Sequence, residues 1–176
     1  MKIVAFAAST SSQSINKALV SYVTKLVVSA EVELLDLNDY ELPLFSEDKE
    51  REIGKPQAAT DFLQKLSSGD ALIVSFAEHN GLYTAAFKNL FDWCSRQAGR
   101  DIYQSKPMLL LATSSGARGG RTVLDLASSM TPRFGGDVRA TVSVPLFNEN
   151  FDLESGMITN DEIKSQLQFA VNELIN

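Results

Sequence analysis

Apolar positions in this chain fall into short dense runs, separated by stretches in which they recur every three or four residues. Four runs, at 3–8, 32–37, 71–76 and 108–112, have strand length, and a looser fifth spans 138–144. The first, third and fourth are nearly continuous, as strands covered on both faces require. The second (Val32, Leu34 and Leu35 around Glu33 and Asp36) and the fifth (Val138, Ala140 and Val142 against Arg139, Thr141 and Ser143) are interrupted, which suits sheet edges. Between the runs, Ile15, Ala18, Leu19, Tyr22, Val23, Leu26 and Val27 make one helical stripe, and Ala59, Phe62, Leu63 and Leu66 make a second behind Pro56. Further stripes run Phe87, Leu90, Phe91, Cys94, then Val123, Leu124, Ala127, Met130, and last Ile163, Leu167, Ala170, Val171, Leu174, opened by a capping box from Thr159 to Glu162. The polar stretch 46–55 reads as a loop.

Strands alternating with amphipathic helices predict an α/β fold: right-handed crossovers onto a five-stranded parallel sheet in a three-layer sandwich, with strand order 2-1-3-4-5 from the edge assignment. At 176 residues one domain over 1–176 is expected, and 44% apolar residues suffice for its core. In such sheets ligands bind beyond the carboxyl ends of the strands, where the strand order reverses. The loops after the first, third and fourth strands are therefore where chemistry is sought.

Charge and cysteine content narrow the classes. A formal net charge of -6 with no basic run predicts no nucleic-acid partner. One cysteine, Cys94, excludes an intrachain disulfide, and one cysteine with one histidine, His79, cannot make a Cys/His zinc site. No run approaches the roughly 20 apolar residues that span a bilayer, so a cytoplasmic protein without membrane association is expected. Cys94 lies on the apolar stripe of its helix and reads as a small core residue.

The first loop, Ser9, Thr10, Ser11, Ser12, Gln13, Ser14, Ile15, Asn16, packs hydroxyls immediately before a helix N-terminus, a combination that can cradle a phosphate or serve as an ordinary serine-rich cap. It lacks both the P-loop ending and G-x-G-x-x-G, which disfavours an ATPase or a Rossmann dinucleotide site. After the third strand come Ala77, Glu78, His79, Asn80 and Gly81, leading to Lys88, Asn89, Asp92 and Trp93, where Asn89 and Asp92 are candidate helix-to-loop anchors and Trp93 and Phe91 are candidate core. After the fourth come Ser114, Ser115, Gly116, Ala117, Arg118, Gly119 and Gly120, whose glycines allow backbone approach to a flat ligand.

Together the three loops resemble those of the NAD(P)H-dependent FMN reductases, a flavodoxin-like family with Gly-Ser-x-Arg-x-x-Ser-x-Asn, Pro-Glu-Tyr-Asn, Leu-Lys-Asn-x-x-Asp-Trp and Ser-Pro-Gly-x-x-Gly-Gly patterns. The resemblance covers the whole chain in order and spacing. It implies FMN as cofactor and NAD(P)H as co-substrate, with Ser9, Ser11, Ser14, Ile15 and Asn16 at the phosphate, Ala77, Glu78, His79 and Asn80 along the ring, and Ser114, Ser115, Gly116 and Gly119 at its pyrimidine end. It further implies hydride passage to a quinone, azo, flavin or similar small-molecule acceptor, in a homodimer or homotetramer, without a protein nucleophile or metal. The chain departs from the pattern at Ser11, where the family has an arginine, at His79, where it has a tyrosine, and at Leu82 and Thr84, where it has serine and proline in the wall beside the ring. The alternatives are an electron carrier without its own NAD(P)H activity and a regulatory module on the same fold.

Overall fold

The computed structural model describes residues 1–175. In chain order the elements are β1 Lys2–Ala8, α1 Ile15–Lys25, β2 Glu31–Leu35, a 3-10 turn Leu37–Tyr40, α2 Glu47–Ile53, α3 Gln57–Ser68, β3 Ala71–Phe76, β4 Glu78–His79, β5 Leu82–Tyr83, α4 Ala85–Ala98, β6 Lys106–Thr113, α5 Arg121–Met130, a 3-10 turn Thr131–Phe134, β7 Gly136–Val144, α6 Phe147–Asn150, β8 Phe151–Asp152, β9 Met157–Ile158 and α7 Asp161–Ile175. The main sheet is parallel with order β2-β1-β3-β6-β7, which is the expected 2-1-3-4-5 counted over its own strands.

Burial explains why these runs are strands. Every residue of β3 is buried, β1 is buried from Ile3 on, and the outer β7 alternates, as an edge strand does. Two cores result. Phe6, Phe62, Phe87 and Trp93 lie on one side of the sheet, and Ile3, Leu19, Val23 and Leu167 on the other. Burying a phenylalanine such as Phe6, with no exposed surface, contributes about 1.5 to 3 kcal/mol. The register brings Ala8 opposite Phe76 and Phe76 opposite Ala112, so β1, β3 and β6 end level and release their loops side by side.

Three local expectations are corrected. Residues 46–55 contain α2, which buries no residue and so shows no apolar period; the Ser46 side chain caps it at Lys49 N, and Glu50 holds it to Arg96 at 2.9 Å. The cap of α7 is Asn160, whose Oδ1 accepts from the amides of Glu162 and Ile163 at 3.0 and 3.2 Å, because the Thr159 hydroxyl is turned to the carbonyl of Glu149. Finally, β2 stops at Leu35: Asp36 accepts from Asn38 N and starts the 3-10 turn, with Leu37 buried in the core.

Candidate active site

Six polar residues are buried in the described chain: Ser9, Asn16, Ser75, Thr84, Thr113 and Thr131. All but Thr131 sit at the carboxyl end of the sheet, and they stitch the loops together. The Asn16 carboxamide accepts from the Ser75 hydroxyl at 2.8 Å and from the Thr113 amide at 3.1 Å, and donates to the Thr113 carbonyl at 3.2 Å. Thr84 accepts from Phe87 N to cap α4 and donates to the Ala8 carbonyl at 2.9 Å, while Thr113 Oγ1 donates to the Val144 carbonyl at 2.7 Å. Buried polar groups satisfied in this way fix their neighbours, since leaving any one unpaired costs about 1 to 3 kcal/mol.

The first loop rests on this frame. Ser9 is buried and accepts from Ser11 N at 3.2 Å, Ser14 caps α1 by accepting from Lys17 N at 3.3 Å, and Thr10, Ser11, Ser12 and Gln13 are exposed. The backbone N–H groups of Ile15 and Asn16, in the first turn of α1, have no partner among the described residues, so the loop offers hydroxyls and a helix N-terminus together. Asn16 itself is 3% exposed, and its carboxamide is held by Ser75 and Thr113. The Asn16 side chain is thus a clamp beneath the loop, and only its backbone N–H is left to face a ligand. Lys17, one residue on, is ion-paired with Asp36, whose carboxyl this contact and the Asn38 amide hold below its ordinary value.

The second loop is a hairpin. Asn80 and Gly81, at φ 53° and 80°, are its two turn residues, a left-handed pair matched to the twist of β4 and β5. His79 and Asn80 are exposed, Ala77 is buried, and Leu82 is 60% exposed. One Glu78 oxygen accepts from Val123 N at 2.9 Å, which caps α5 and ties the hairpin to the third loop's helix rather than leaving that oxygen free for a ring. Thr84 is 4% exposed, so the wall role expected for it is corrected to the α4 cap, whereas Leu82 is exposed. Behind the hairpin Asn89 anchors residues 42–45 through Phe45 N and the carbonyls of Leu42 and Pro43, and the fully buried Trp93 donates to Pro43 at 2.8 Å. Asp92 does not anchor this loop; it pairs with Lys88 at 2.7 Å.

In the third loop Ser114 is half-buried, and Ser115, Gly116 and Ala117 are exposed. A side chain at Gly116 would meet only Ser114 Oγ, at 3.9 Å, whereas one at Gly119 would strike Ser143 Oγ at 2.5 Å and Pro145 N at 2.8 Å. Gly119 is also buried and donates its N–H to Gly116 O at 3.2 Å. Gly119 is therefore required for packing on β7, while Gly116 stays open. A cleft of about 340 Å³ between Thr10, the 37–40 turn and Ala86 shares only Thr10 with the three loops; Ser12 to Ile15 of the first loop line another of about 530 Å³, and Ala117 and Arg118 of the third line one of about 480 Å³ with Ser143, Pro145 and Asn150.

Cys94 is buried, and burial pushes its thiol up to about 12, consistent with a core side chain. Sequence reasoning passed over Ser75, Ser143, Leu146 and Asn150. Only Ser75, a hydroxyl inside an otherwise apolar strand, carried a signal.

A doubly wound sheet that collects a hydroxyl-rich helix start and a glycine loop at its reversal point defines a flavodoxin-like α/β protein. The same fold is seen in the flavoenzyme NAD(P)H:acceptor oxidoreductase FerB of Paracoccus denitrificans, with a TM-score of 0.74 at 21% identity over 99% of this chain and 95% of that one. The chain belongs to the NADPH-dependent FMN reductase family, whose defining pattern matches residues 1–149, and it is by class an oxidoreductase. A 2-hydroxy-1,4-benzoquinone reductase from Burkholderia sp is 31% identical over 120 residues, 68% of this chain and 63% of that enzyme. An uncharacterized protein of Mycoplasma pneumoniae is 29% identical over 148 residues, 82% of this chain and 87% of its own.

Proposed function

We propose that this protein binds FMN across the three loops and passes hydride from NAD(P)H to a quinone, azo compound, flavin or similar acceptor. The observation that carries the reading is a set of donors without a partner among the described residues: the N–H groups of Ile15 and Asn16 beside the exposed hydroxyls of the first loop, and the N–H groups of the exposed Ser115 and Ala117 in the third. This set suits a phosphate at one end and a polar ring edge at the other. Bound FMN supplies the ring that accepts and returns the hydride. Ser11, Ser12 and the first turn of α1 hold the phosphate. Ser115, Gly116 and Ala117 offer peptide dipoles to the ring edge where negative charge grows on reduction. His79, Asn80 and Leu82 line the side on which nicotinamide and acceptor alternate, and Ser114 supports the loop from below.

The family membership and the benzoquinone reductase relative support this reading. We read the working unit as one domain in a cytoplasmic homodimer or homotetramer; among the described residues no helix is long and apolar enough to cross a membrane. The test is fluorescence titration with FMN and FAD, followed by NADH and NADPH oxidation with and without a benzoquinone. FMN binding tighter than FAD and FMN-dependent oxidation are expected. Tighter FAD binding defeats the cofactor assignment, and FMN binding without NAD(P)H oxidation turns the reading to an electron carrier.

A further inference from the structure

Three carbonyls of the third loop point the same way, and all of them are received by one segment. Ser114 O accepts from Phe147 N at 3.0 Å, Gly116 O accepts from Leu146 N at 3.0 Å, and Gly119 O accepts from the Ser143 hydroxyl at 2.9 Å. The peptides of this loop are trans, and in a trans peptide the N–H lies opposite the carbonyl of the residue before it. The N–H groups of Ser115 and Ala117 are therefore aimed away from residues 143–147. Neither has a partner among the described residues, and both residues are exposed.

The receiving segment is itself held in an unusual shape. Leu146 has φ 48° and ψ 54°, a left-handed conformation that residues with a branched side chain rarely adopt. It turns the chain so that two successive amides, those of Leu146 and Phe147, face the loop. Asn150 secures that turn: its Nδ2 donates to the carbonyl of Pro145 at 2.9 Å and to that of Leu146 at 3.4 Å, and its own amide donates to Leu146 O at 3.1 Å. Phe147, fully buried and stacked on Phe151 at 4.6 Å, fastens the far end.

We infer that residues 143–150 are the template that aims the peptide donors of Ser115 and Ala117 at the flavin ring, with Asn150 as the positioning residue that keeps Leu146 in its left-handed turn. The ligand half of this inference rests on the reading that FMN lies against the third loop. The template acts through carbonyls, so it leaves no side chain at the ring, and it orients the donors before any ligand arrives.

Two measurements test it, the first without flavin. Amide hydrogen exchange of Leu146 and Phe147 in the apo protein should quicken about tenfold or more in Asn150→Ala and Asn150→Asp, with the amides of β6 unchanged. Leu146→Gly, which tolerates the left-handed turn, should keep wild-type exchange, and Leu146→Val should behave like Asn150→Ala. Unchanged exchange in Asn150→Ala overturns the inference. In the second, dissociation constants for FMN and riboflavin are measured in parallel. Both should weaken about tenfold by the same factor in Asn150→Ala, since the loss falls on the ring end. Weakening of FMN alone places the damage at the phosphate and overturns the inference. If wild-type protein binds neither flavin while exchange responds as expected, the FMN reading fails and the template stands.

Discussion

Asn16 pairs with the backbone of Thr113 as a neighbouring peptide would. Its carboxamide donates to the Thr113 carbonyl at 3.2 Å and accepts from the Thr113 amide at 3.1 Å, across 97 positions of sequence. One short side chain therefore locks the start of α1 to the end of β6, and through Ser75 to β3. The phosphate end and the ring end of the candidate site share this anchor.

Asn16→Ala should cost about 2 to 4 kcal/mol, because it strands the Ser75 hydroxyl and the Thr113 peptide in a buried site. Thermal unfolding should show the midpoint falling by roughly 5 to 15 °C. Ser75→Ala leaves the pairing with Thr113 in place, so its loss should be about 1 kcal/mol. Equal losses in the two variants would contradict the clamp.

Ser11→Arg should tighten FMN or pyridine-nucleotide binding about five- to tenfold. A charge-assisted hydrogen bond to phosphate contributes about 1.5 to 3 kcal/mol where a neutral hydroxyl contributes about 1. The Ser11 backbone is already engaged, its N–H with Ser9 Oγ and its carbonyl with Ser14 N, so an exposed longer side chain leaves the loop intact. Isothermal titration with FMN and NADPH checks this, and unchanged constants for both would remove Ser11 from the site.

Stability should fall as acid is added through the carboxylate range. Lys2 and Lys65 hold Glu33 below its ordinary pKa by hydrogen bonding to it, and Lys17 does the same for Asp36. A depressed folded-state pKa stabilises the fold above the unfolded values, about 4.3 for Glu and 3.9 for Asp, and that stabilisation is lost as pH drops through the lower folded values. Both groups are partly exposed, so each contributes at most about 1 kcal/mol. Urea midpoints between pH 6 and pH 3 should decline less steeply in Glu33→Gln than in wild type.

The Cys94 thiol should resist alkylation in the native protein at pH 8. Its pKa is pushed up to about 12 by burial, and it has no exposed surface. Labelling with a thiol-reactive dye should follow the rate of global unfolding, and labelling faster than unfolding would show a local opening around α4.

The sequence by itself determined the layers and which three loops gather at the carboxyl end of the sheet. Strands such as β3, buried on both faces, must be apolar throughout, and edge strands such as β7 must alternate; those two patterns specify the strand order, and with it the loops that meet where the order reverses. The tertiary structure decided everything that depends on a polar group finding a distant partner. Helix α2 was illegible because it buries nothing and draws its support from Ser46 and Arg96. The Asn16 carboxamide is chemically free to meet a ligand when read in the sequence, and only packing reveals that Thr113 and Ser75 have claimed it, leaving the backbone N–H. Gly119 looked like Gly116, yet one is pressed on Pro145 and the other is open. Periodicity records which side chains leave water, a property of each residue and its near neighbours. Hydrogen-bond pairing across 97 positions is a property of the closed fold and leaves no period behind.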